Sequence, residues 1–152
     1  MSYRIVDEPS ASGLARFAVR PFWPLLAQML AGAWLAWPWF IVNSIAMGSA
    51  TRKQEQRWVA IAAIGSVVVT ALVMAMLGAE AAGAAARYVV LVMLALKLGV
   101  AYWLHTLQER TFGLFEHFGH RARSGLALVI AGAILRATIL PELPLFLLLV
   151  LS

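Results

Sequence analysis

Four long apolar runs alternate with short polar connections along this chain, at about residues 22–47, 58–78, 88–107 and 125–151. A helix needs ~20 apolar residues to cross a ~30 Å hydrocarbon core, and each run reaches that length. The pattern predicts an all-α, polytopic integral membrane protein with four transmembrane helices in a single domain, residues 22–152. A polar segment, residues 1–21, precedes them. Within it, Leu14 to Val19 is apolar, with Arg16 and Arg20 four apart. That spacing reads as a short amphipathic helix lying on the membrane surface. Asp7, Glu8 and Pro9 lie beside Arg4, and the apolar run that follows is too long for a cleaved signal. It is expected to stay as a membrane span.

Pro21 and Pro24 suit the opening turn of the first run, where a missing N–H costs nothing. Pro38 lies inside the run and predicts a kink. Trp34, Trp37 and Trp39 surround it, and tryptophan prefers the headgroup level, so the span is expected to end near either Phe40 or Met47. In the second run Ala62, Ser66 and Thr70 recur every four residues. Such a weakly polar stripe lets helix backbones approach closely. The Ala/Gly-rich link from Ala79 to Ala86 predicts a tight turn, and hence an antiparallel hairpin of the second and third runs.

Beyond the third run, Gln108 to Ser124 is polar. If the helix continues there, His105, Glu109, Phe112, Glu116 and His120 share one face, although Gly113 and Gly119 speak against continuation. In the fourth run Pro141 and Pro144 should kink or end the helix. The tail Leu145 to Leu151 then either completes the span or folds back against the protein.

Composition agrees with this class. The chain is 62% hydrophobic and 12% charged, with a mean hydropathy of +0.84, whereas a soluble domain carries about 25% charged residues. Cysteine is absent, which removes disulfides, thiolate metal sites and thiol nucleophiles together. The net charge of +5 suits anionic headgroups, and no basic stripe with interleaved aromatics points to nucleic acid. Four spans would place Arg4, Arg16, Arg20 and Arg87 on one side. Arg52, Lys53, Arg57, Arg110, Arg121 and Arg123 would lie on the other. Positive-inside then narrowly favours termini outside the cytoplasm.

Candidate chemistry centres on Lys97 and Arg136, the two cations deep inside the third and fourth runs. An ionisable group in hydrocarbon costs roughly 2.5–3.5 kcal/mol even on the lenient insertion scale, so it is seldom idle. Arg136 shares a helix face with Gly132, Val129 and Gly125, small residues that imply close packing. Lys97, Ala101 and His105 form a polar stripe on the third span. Glu142 is the one carboxylate within the runs, so two cations compete for one anion unless an anionic lipid, an anionic solute or a partner supplies another. His117 and His120, with Glu109 and Glu116, have metal-like spacing, but a solvated loop explains them better, and no metal or cofactor is expected. Ser66 with His105 is the sole conceivable catalytic dyad, and it lacks an orienting group.

The functional expectation is a non-catalytic membrane subunit that assembles with other membrane proteins, or with itself, through polar and small-residue faces. The alternative is a small transporter or channel component in which Lys97 and Arg136 attract an anionic solute or lipid. The Ala/Leu/Arg-rich composition points to a bacterial cytoplasmic (inner) membrane.

Overall fold

The computed structural model describes residues 13–77 and 83–152. They form six α-helices: α1 (Phe22–Leu30), α2 (Ala33–Ala46), α3 (Arg52–Leu77), α4 (Gly83–His117), α5 (Leu126–Ile139) and α6 (Leu145–Leu151). Two short 3-10 turns accompany them, Ala15–Phe17 before α1 and Leu140–Glu142 between α5 and α6. Among the described residues the one β-type pairing is an isolated bridge between Val19 and Arg123.

Two helices are long and apolar enough to cross a membrane, over Arg52–Ala75 and Arg87–His117. They run antiparallel: Val59 packs with Leu104 at one end, and Val69 and Val73 pack with Val89, Val90 and Met93 toward the other. Of the turn expected over 79–86, residues 79–82 lie outside those described and residues 83–86 already belong to α4. The polar N-terminal stretch holding Arg4, Asp7, Glu8 and Pro9 also lies outside them. α4 continues past Leu107 through Gly113 and stops at Gly119, whose φ of +83° is natural for glycine after a helix end.

The first apolar run departs from expectation. It is two helices rather than one span, and it turns back on itself. α1 stops at Leu30, and Gly32 takes φ +104° before α2 begins. Residues before α1 and after α2 then meet at the same end of the bundle. Ala18 joins Ala46, Met47, Phe112 and Phe115 in one cluster, and the Val19 N–H donates to Asn43 Oδ1 at 2.9 Å. Pro38 sits inside α2 without interrupting it. The break falls at Gly32 because α6 approaches there: a Cβ on Gly32 would lie 2.7 Å from the Leu151 carbonyl oxygen.

The fourth run also divides. α5 starts with Gly125 against Trp23 and Trp39 and passes Gly132 against Ala31 and Leu35. After Pro141 and Pro144 the chain reverses, and α6 seats Leu149 against Val73 and Met93. The tail therefore lies back into the bundle. The segment at Leu14 to Val19 is likewise not a surface helix. It is one 3-10 turn leading into an extended stretch, with Ala18 and Val19 buried and the Arg123 N–H donating to the Ala18 carbonyl at 2.9 Å.

The chain thus has a near end, where residues 18–20, 47–52 and 117–125 gather, and a far end at residues 140–144 and the start of α4. Arg16, Arg20, Arg52, Lys53, Arg57, Arg110, Arg121 and Arg123 belong to the near end. Arg87 belongs to the far end.

Candidate functional site

Polar side chains are concentrated inside the bundle in two layers. The first lies near the basic end, where α2, α3 and α4 meet. Glu55 sits in the opening turn of α3, 1% exposed, and Asn43 and Gln108 are fully buried beside it. The Asn43 amide donates to Gln108 Oε1 at 3.0 Å. Gln108 Nε2 donates to Glu55 Oε2 at 2.7 Å and to the Phe40 carbonyl at 2.8 Å. On its other oxygen Glu55 accepts from the Ser49 hydroxyl at 2.6 Å and the Thr51 hydroxyl at 2.7 Å.

From Val19 N–H through Asn43 and Gln108 to Glu55, every donor points toward the carboxylate. Hydrogen bonds aligned this way polarise one another in a low-dielectric interior. Among the described residues no cation pairs with Glu55. Its neighbours are hydroxyl and amide donors, together with the N-terminus of α3, whose dipole favours negative charge.

The second layer holds Lys97, 11 residues along α4 from Gln108, or roughly 16 Å. Lys97 is 3% exposed. Its ammonium donates to the Leu149 carbonyl at 2.7 Å and the Val150 carbonyl at 3.0 Å, and it lies 6.0 Å from the Trp37 ring centre. The last carbonyls of a helix lack intrahelical partners and carry the negative end of its dipole, so a buried ammonium there satisfies both. Arg136 acts on α1 in a similar but weaker way, donating to the Leu30 carbonyl at 3.3 Å. The Trp34 indole N–H donates to the Ala31 carbonyl at 2.8 Å. Two helices therefore end in the middle of the bundle, and cations from α4 and α5 cap them.

Arg136 and Lys97 stand on either side of the last turn of α6. Arg136 lines a groove of about 350 Å³ together with Leu30, Leu148 and Ser152. Glu142, the one anion for which these two cations were expected to compete, is exposed and forms no ion pair among the described residues. His105 lies one level nearer the basic end, with Nδ1 3.9 Å from Glu109 Oε2, while Arg20 reaches Glu109 Oε1 at 3.4 Å.

The small-residue positions face neighbouring helices. Ala62 borders the core cluster, Ser66 and Thr70 are buried, and the Thr70 hydroxyl lies 3.7 Å from Met93 Sδ on α4. A Cβ on Gly125 would come within 2.8 Å of Trp39, and one on Gly132 would clash with Leu35.

Among the described residues, no three His, Asp or Glu side chains converge as metal ligands would. His120 stacks on Phe115 at 4.6 Å and His117 meets Phe118 edge-on. Ser66 and His105 are not brought together: Ser66 lies at the level of Met93 and Lys97, whereas His105 is 12 residues beyond Met93, roughly 18 Å.

The first polar layer was missed in the sequence. Glu55 stands three residues before the second run and Gln108 one residue after the third, so each reads as a loop residue. Their similar distance from the turn of an antiparallel hairpin, 24 and 22 residues from the 79–86 link, was the available signal. No known family, curated protein or solved structure matches this chain.

Proposed function

We propose that this chain is an integral membrane protein that serves as a non-catalytic subunit. It docks against another membrane protein, or a second copy, through the outer face of α3 and α4. In this reading α3, α4 and α5 cross the bilayer. The α1–α2 hairpin enters and leaves from one side, and α6 dips in from the other. α5 with its 3-10 turn spans roughly 27 Å, short of a ~30 Å core by an amount that local thinning absorbs.

Support for the membrane setting is an inverted distribution of side chains. Asn43, Glu55, Lys97 and Gln108 are inside, whereas Ile64 at 65% exposure and Leu96 at 63% are outside. Water would penalise such a surface, while lipid tails accept it. The basic near end then faces the cytoplasm by the positive-inside rule, at eight described cations against one. That margin replaces the narrow one obtained from four spans, because the α1–α2 hairpin moves Arg16 and Arg20 to the side of Arg52 and Arg121.

The observation that carries the subunit reading is a groove on this outer face. It is lined by Trp58, Leu96, Gly99, Val100 and Trp103 and is continuous with one beside Ile61 and Gly65. A Cβ on Gly65 or Gly99 would meet nothing within 4 Å. Small residues in an open lipid-facing groove let a further helix approach closely. Lys97 is consumed inside the chain, which weighs against a hydrated path through it. A transport reading keeps one favourable observation, the half-exposed Arg136 in its groove.

Cross-linking in native membranes, followed by mild-detergent capture of the tagged chain, tests the proposal. Wild type should yield a defined partner or a dimer, and Gly99→Leu should fold but lose it. A monomer in both, or an unchanged partner in Gly99→Leu, overturns this reading.

A further inference from the structure

A second groove, at the basic end, has a different character. It measures about 380 Å³ and is walled by Leu35, Pro38, Trp39, Val42 and Leu128, with Phe17 at its rim. One arginine lines the groove, and a second lies against Phe17, which also lines it. Arg123 lines it directly beside Ser124, and the Arg16 guanidinium rests 4.9 Å above the Phe17 ring. Among the described residues neither has an acidic partner.

These side chains are set in place by fixed backbone. The Arg123 N–H is bonded to the Ala18 carbonyl, and the Ser124 hydroxyl accepts from the Leu126 N–H at 3.3 Å as α5 begins. From Val42 to Leu35 the apolar wall follows α2 for seven residues, roughly 10 Å, away from the basic rim and toward the middle of the bundle.

We infer that this groove is a binding site for an anionic phospholipid. Its phosphate would sit between Arg123 and Arg16, and an acyl chain would lie along Pro38, Trp39 and Leu128. The inference rests on the membrane setting proposed above. One charged end and one apolar end match a phospholipid in shape and in charge. The unpaired guanidinia supply the complementarity: arginine donates two parallel N–H groups to a phosphate, and basic residues at an anionic leaflet contribute about 1 kcal/mol each. A zwitterionic lipid would fill the apolar wall equally well but would gain less at the rim.

The test is native mass spectrometry of the full-length chain in detergent, titrated separately with phosphatidylglycerol and phosphatidylcholine. Wild type should prefer phosphatidylglycerol by about fivefold or more, which is ~1 kcal/mol at 1.4 kcal/mol per tenfold. Arg123→Gln should lose most of that preference. Leu128→Trp, which fills the groove, should weaken both lipids, and Arg52→Gln, away from the groove, should change neither. Equal affinity for the two lipids in wild type overturns the site, as does a preference that survives Arg123→Gln. A photo-cross-linker at Leu128 that captures a protein in native membranes instead of lipid also overturns it. Failure of the membrane setting itself would read differently: the chain would leave membranes on carbonate extraction, and neither lipid would bind.

Discussion

The Val19 backbone N–H and the Asn43 side-chain oxygen, 2.9 Å apart, join two points that lie 24 residues apart, one just before the first apolar run and one near its end. A straight helix of that length would hold them roughly 36 Å apart. Their contact requires the run to double back, and the conformation of Gly32 provides the turn. The N-terminal segment, α2, α3 and α4 are then tied at one end through Asn43, Gln108 and Glu55.

Gln108→Leu should lower stability by about 2–4 kcal/mol, because it strips one donor from a buried carboxylate and leaves the Asn43 amide unpaired. Glu55→Leu combined with Gln108→Leu should cost less than the sum of the single changes by at least about 1 kcal/mol, the signature of a shared network. Thermal unfolding of the four proteins in one detergent measures this coupling. Additive losses would mean that the two side chains act independently.

At the middle level, Lys97→Met should release α6. The Leu149 and Val150 carbonyls lose a charged donor, and hydrogen bonds of that kind contribute about 1.5–3 kcal/mol each. Hydrogen exchange resolved by mass spectrometry should show loss of protection over 145–151 while the middle of α3 stays protected. Arg136→Leu should be milder, on the order of 1 kcal/mol, since it removes a single 3.3 Å bond. It should still reduce stability or assembly more than Arg52→Leu, which alters one exposed charge at the basic end.

Glycine substitutions separate backbone strain from open space. Gly32→Ala forces a side chain into left-handed conformation against the Leu151 carbonyl and should destabilise by about 1–3 kcal/mol or more. Gly65→Ala meets nothing and should leave the isolated chain unchanged or slightly stabilised, by about 0.5–1 kcal/mol. Melting temperatures of the two variants in the same detergent provide the comparison.

Legibility in the sequence differed from run to run. α3 and α4 follow directly from long apolar stretches joined by an Ala/Gly link, and the buried face of Ser66 and Thr70 follows from their spacing. Lys97 stood out because nothing nearby resembles it, and its partner could not be read, since that partner is backbone. Carbonyls at the end of α6 have no sequence signature. The first run was misread because local rules weight Pro38, a strong breaker, above Gly32. Tertiary contact decided otherwise: α2 continues through Pro38, while Gly32 is the position where the chain must pass α6 without a side chain. The length of the run, longer than a crossing needs, was the remaining clue. Once that run doubles back, Arg16 and Arg20 join Arg52 and Arg121 at one end of the bundle, and a nearly balanced distribution of cations becomes strongly one-sided.

The cysteine-free sequence allows the most direct test of the re-entrant α1–α2 hairpin. Single cysteines at Arg16, Ala50, Arg121, Arg87 and Glu142 can be probed with a membrane-impermeant thiol reagent in intact cells and in inverted vesicles. Arg16→Cys, Ala50→Cys and Arg121→Cys should all label from the cytoplasmic side, and Arg87→Cys and Glu142→Cys from the opposite side. Labelling of Arg16→Cys and Ala50→Cys from opposite sides would mean that residues 22–47 cross the bilayer, and would contradict the account.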